Sequence, residues 1–236
     1  MKFGASLSTL GAACVLAACA SSPSSRFYTL GGAEPASTAV SAVSSASSAP
    51  AFYFELAPVD MPQQVSRNQL VVQTSPAQVT VLEQERWASL PADEVRRALS
   101  DDLSRQLNAI DVYGTPYPES ARVYRVTVKV QRFESWPGAQ AVVDAVWSVR
   151  AAGSDTVLTC RTVENERVGD GYAALVDGHR KAVGELAAAI SAGVRSLGSL
   201  PPAASPASPK GKSDARARPA PTLPCPASSS GTTASM

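Results

Sequence analysis

The sequence predicts one α/β domain of the α+β kind, in which a mixed, largely antiparallel sheet with a strand meander is packed by two long helices. Three observations predict it. Tyr124, Val126, Val128 and Val130 alternate with polar residues, and comparable runs follow at 141–151 and 156–168. Val95, Leu99, Leu103, Leu107 and Ile110 recur at spacings of four and three, marking an amphipathic helix. Tyr172, Val176, Val183, Leu186, Ile190, Val194 and Leu197 mark a second and longer one. These patterns bound the domain at 51–198, which is close to the usual size of a single folding unit.

The chain opens with Lys2 and an apolar run from Leu10 to Ala18 that is too short to cross a bilayer, so residues 1–18 read as a signal peptide. Leu16-Ala17-Ala18-Cys19 has the form of a bacterial lipobox, and Cys19 is expected to become the lipid-bearing first residue of the mature protein. A plain secretory signal with an incidental cysteine is the alternative. A lipid contributes about 0.8 kcal/mol per buried CH2 and one chain is marginal, so a multiply acylated Cys19 is what would hold the protein on a membrane. Ala20 and Ser21, and no aspartate, follow the cysteine. That sequel points to the periplasmic face of an outer membrane.

After a short Ser/Pro spacer, Arg26-Phe27-Tyr28-Thr29-Leu30 forms a β-prone island ended by Gly31-Gly32. Residues 33–50 are almost all Ala, Ser, Thr, Val and Pro and read as a linker. Phe52 to Val59 is extended, with Pro58 suggesting a strand that ends near a sheet edge. Gln69–Gln73 and Val79–Leu82 are two further strands, separated by the turn signal Ser75-Pro76. The first helix is expected from about Pro91 to Ala109, with Pro91 in its first turn and Asp93-Glu94 near the positive end of its dipole. Arg96, Arg97, Asp101, Asp102 and Arg105 read as its solvated face, and Trp87 as packed under its start.

Trp136-Pro137-Gly138 and Gly153-Ser154-Asp155 supply the turns of the meander. The second helix is expected to stop at Gly198, before Pro201-Pro202. Residues 199–236 form a Pro-, Ala- and Ser-rich tail, mildly basic through Lys210, Lys212, Arg216 and Arg218, of the composition expected of a disordered segment.

Charge and inventory exclude several function classes. With 21 basic and 20 acidic residues the net charge is +1, which gives no reason to expect a nucleic-acid partner. Once the signal is removed and Cys19 acylated, Cys160 and Cys225 remain, either bridged or as two free thiols, the free thiols being favoured. The single histidine, His179, flanks the apolar stripe of the second helix and reads as a partly buried or surface residue. The carboxylates at Asp93-Glu94, Asp101-Asp102 and Glu164/Glu166 are explained by helix dipole, solubility and strand edge. No nucleophile elbow, phosphate loop or metal-spaced cluster stands out, so no catalytic residue, no metal and no cofactor is expected.

Taken together, the lipobox, Arg26–Leu30, Leu56-Ala57-Pro58-Val59-Asp60-Met61-Pro62, Arg67-Asn68-Gln69-Leu70-Val71-Val72 and Glu85-Arg86-Trp87-Ala88-Ser89-Leu90 before a helix resemble the PqiC/YmbA group of ABC-type transport auxiliary lipoproteins, from about Phe27 to Leu197. Gln64-Val65-Ser66 replaces the tyrosine-leucine-aspartate usual in that group before the arginine. The resemblance implies a non-catalytic outer-membrane lipoprotein that partners an MCE-type periplasmic subunit of an ABC transporter moving lipid or other hydrophobic molecules. It also implies a homo-oligomeric ring in some members. Partner contact is expected at Arg26, Phe27, Tyr28 and Leu30 of the island and at Pro62 and Arg67 of the following loop. The alternative is a structural envelope lipoprotein that contacts peptidoglycan through its basic tail.

Overall fold

The structure, a computed structural model, describes residues 24–32, 50–200 and 223–226. The signal peptide, Cys19 and most of the linker and tail lie outside those residues. The strands divide into two sheets. In the smaller, β1 (Arg26–Tyr28) and β3 (Gln69–Ser75) flank β4 (Gln78–Trp87). In the larger the order is β5 (Ile110–Asp111), β2 (Tyr53–Leu56), β6 (Val123–Trp136), β7 (Gln140–Ala151), β8 (Val157–Arg167). The expected meander is β6-β7-β8, antiparallel throughout, whereas β2 runs parallel to both its neighbours.

Helix α1 (Pro91–Leu107) and helix α2 (Tyr172–Gly198) pack against each other, with α2 laid over β7 and β8. Val126, Val128 and Val130, with Ala145, Trp147, Val149 and Leu158, are buried in one core with Val183, Leu186, Ile190 and Val194. Thr127, Lys129 and Arg161 face solvent on the other side. Gly193 brings α2 close to β7: a Cβ there would sit 2.8 Å from Trp147 Cη2. Pro91 occupies the first turn of α1, where its missing N–H leaves nothing unpaired. Asn108 closes the helix in the left-handed region, φ 48°, and its N–H bonds Ser104 O.

Several expectations change. Ile110 does not extend the α1 stripe: the cap at Asn108 ends the helix first, and Ile110 lies 52% exposed in β5. β2 is interior to its sheet, because the two-residue β5 forms the edge. Pro58 is tolerated there for a geometric reason. Ala57 N–H bonds Val126 O of β6 while Leu56 N–H faces Asp111, so Pro58 falls on the β5 side, beyond the end of that strand. Trp87 ends β4 and packs edge-on to Phe133 and His179, under α2.

A bulge in β6 redirects its second half. Val130 pairs with Ala145 and Arg132 with Asp144, leaving Gln131 as the extra residue. The inward phase moves from even to odd numbers, so Phe133 and Ser135 point into the core beneath α2. His179 is fully buried there, not partly exposed: it stacks on Phe133 at 3.9 Å and bonds Ser135 Oγ at 2.8 Å. Burial pushes its pKa down to about 3, so the ring is neutral. The two cysteines that could have stayed free are joined, Cys160 to Cys225, which fastens residues 223–226 beside β8.

Candidate docking face

The island is built into the domain by side chains from three elements. β1 runs parallel to β4, with Arg26, Phe27 and Tyr28 opposite Glu85, Arg86 and Trp87. Tyr28 Oη donates to Glu85 Oε2 at 2.6 Å, and the Arg26 guanidinium lies 3.4 Å from Glu85 Oε1. Burial and that bond to a carboxylate raise the Tyr28 phenol above its ordinary pKa. Ala88 N–H then bonds Tyr28 O at 2.7 Å, continuing the ladder past the strand end.

Thr29 and Leu30 are gripped from both helices. Glu94, fully buried in the first turn of α1, accepts from Thr29 Oγ1 at 2.7 Å and Leu30 N–H at 3.0 Å through one oxygen. Its other oxygen accepts from Ser89 N–H at 3.1 Å and from the Ser89 hydroxyl, with Arg97 at 3.5 Å. Burial alone would raise the Glu94 pKa; the bonds from Ser89, Thr29 and Leu30 and the Arg97 charge outweigh it and hold the carboxyl below its usual range. From α2, Arg180 donates to Thr29 O at 3.0 Å and Leu30 O at 3.3 Å while pairing with Asp177. Glu94 therefore fixes the island and is not a solubilising residue.

The polar face of α1 is also less wet than its pattern implied. Arg96 donates to Leu56 O at 3.0 Å and to Asp111 Oδ2 at 3.2 Å, and its guanidinium lies over Tyr113. Ser100 Oγ donates to the same carboxylate at 2.8 Å. This network ties α1 to β2 and β5.

The residues expected to contact a partner come together around one end of β4. β1 lies on one side of it and the start of β3 on the other, where Gln69 pairs with Arg86 and Trp87 N–H bonds Asn68 O. A row therefore crosses the small sheet from Phe27 through Arg86 to Gln69. Phe27 is 66% exposed, and Arg26 and Arg67 are exposed with it. Pro62 and Tyr28 are half-buried. Leu30 differs: at 2% exposure it is a core residue whose part is to seat the island. Cys19 lies outside the described residues.

Among the described residues, no three His, Cys, Asp or Glu side chains are grouped to hold a metal, and no helix is long and apolar enough to cross a membrane. The family described as ABC-type transport auxiliary lipoprotein component matches residues 28–191. This chain belongs to that family. The auxiliary lipoprotein has no match among curated proteins. A crystal structure of a protein without assigned function is similar at 20% identity and TM-score 0.57, covering 73% of this chain and 99% of its own. A Xanthomonas campestris protein is similar at 13% identity and TM-score 0.49, covering 61% of this chain and 81% of its own. At 20% identity the first likeness concerns the fold alone. The family match begins at the end of β1, spans α1 and the meander and ends within α2, so it takes in the end of the island together with the domain behind it.

Proposed function

We propose that this auxiliary lipoprotein is a non-catalytic docking subunit, anchored through Cys19 at the periplasmic face of an outer membrane. It receives an MCE-type periplasmic subunit of an ABC transporter that carries lipid or other hydrophobic molecules between two membranes. The observation that carries the reading is the display of Phe27 and Arg26 a few residues after the lipobox in sequence: an exposed aromatic on a strand held by Glu94 and Arg180 has the character of an interface anchor. The buried, neutral His179 fits a domain without turnover. A binding role also suits the paired charges of the large sheet's wet face, Arg125 with Glu55 and Lys129 with Asp60.

The test is association with an MCE-type periplasmic subunit of an ABC transporter from the same cell. Phe27→Ser and Arg67→Glu should each weaken binding by tenfold or more, since both positions are exposed and a hot-spot residue contributes about 2 kcal/mol or more. Thermal unfolding should not move. If the unaltered domain fails to bind that subunit in solution and in detergent-extracted envelopes, the reading is wrong.

A further inference from the structure

The chain reaches β1 from a fixed direction. Because β1 is parallel to β4 with Arg26 opposite Glu85, Ser24 and Ser25, just upstream of it, head toward the β3–β4 turn at Ser75–Gln78. Ser25 Oγ still donates to Gln84 Oε1 at 2.9 Å, so the chain follows β4 before the strand begins. Seven residue steps separate Cys19 from Arg26 (26 − 19), and seven separate Gln78 from Glu85 (85 − 78). At about 3.3 Å per residue a fully extended spacer reaches roughly 23 Å, the length of β4 back to the hairpin tip and little more.

The tip is chemically unlike the rest of the surface. No charged residue lies between Arg67 and Glu83. Thr74, Pro76, Ala77, Gln78 and Thr80 are exposed, and Val79 is 41% exposed opposite Gln73. Small uncharged and apolar side chains lose little on leaving bulk water for a bilayer interface, whereas a carboxylate or ammonium loses much. Reach, direction and composition agree.

We propose that the β3–β4 hairpin tip is the membrane-facing end of the domain and rests on the phospholipid surface that holds the Cys19 acyl chains. This rests on the lipid-anchor reading above and adds an orientation to it. β4 then leads away from the lipid, and Phe27 and Arg26, at its far end, are presented toward the aqueous side.

The test uses the lipidated protein, purified in detergent and reconstituted into phosphatidylethanolamine/phosphatidylglycerol vesicles whose acyl chains carry bromine. A fluorophore is placed on Ala77→Cys at the tip, on Asp155→Cys after β7, or on Asp170→Cys before α2; the native Cys160 and Cys225 are joined and do not react. Emission at position 77 should be quenched at least twofold more than at either control. Thr80→Cys, on the same tip, repeats the measurement if a label at 77 disturbs the turn. Equal quenching at all sites, deeper quenching at a control, or none at the tip while mass spectrometry finds acyl chains on Cys19, overturns the orientation and leaves the anchor standing. Absence of acyl chains removes the anchor, and the orientation falls with it.

Discussion

Glu94 is the residue on which the seating of the island turns. A fully buried carboxylate is costly unless its lone pairs are filled, and here Thr29, Leu30 N–H and Ser89 fill them. Glu94→Gln keeps the shape but offers the Leu30 and Ser89 donors one neutral oxygen and an NH2 group that cannot accept. The expected loss is about 2 kcal/mol of unfolding free energy in urea, the usual scale for bonds to a charged acceptor. The acid dependence has a defined sign. The folded-state pKa lies below the ordinary 4.5, so the stabilisation is complete above that pH and is lost as pH falls through the lower folded value. The gap between the parent and Glu94→Gln should therefore be constant near neutrality and close below about pH 4.5. A gap that widens in acid would refute the assignment.

The elements meet through close contacts that tolerate little added volume. At Gly193 a Cβ would fall within 2.8 to 3.0 Å of Trp147 and Leu158, both held in the core of the sheet. Gly193→Ala should therefore cost about 1 to 3 kcal/mol despite its better helix propensity, measured as a lower thermal midpoint with unchanged helical circular dichroism. Which elements could be read in advance follows from the range of the signal each depends on. The meander was legible because its strands are sequence neighbours and alternate with a wet face; both helices were legible from their stripes. The bulge at Gln131 was not, since one unpaired residue changes the inward phase without leaving any local mark, and so Phe133, Ser135 and His179 were not seen to converge. The parallel pairing of Arg26–Tyr28 with Glu85–Trp87 was equally hidden, because it joins segments far apart in sequence. Of the docking face, resemblance supplied the two segments, but their meeting across β4 and the burial of Leu30 needed three dimensions.

At the scale of the whole molecule, two distant pieces of chain are fastened to the 50–200 body, one by hydrogen bonds and one by a covalent bond. The Cys160–Cys225 bridge closes a loop across a separation of 65 residues. Restricting the unfolded chain over that span stabilises the fold by about 4 kcal/mol on the loop-entropy account. Cys225→Ser should lower the urea midpoint accordingly, with native circular dichroism kept at low denaturant; a midpoint unchanged from the parent would mean that the bridge adds nothing. The other fastening bears on how the protein withstands force. Tension on the N-terminus pulls β1 along its own axis, so its ladder to β4 and the grip of Glu94 and Arg180 on Thr29 and Leu30 are loaded together in shear and do not peel one at a time. Tension at the anchor proposed at Cys19 would thus be shared between the β1–β4 ladder and the bonds from Glu94 and Arg180.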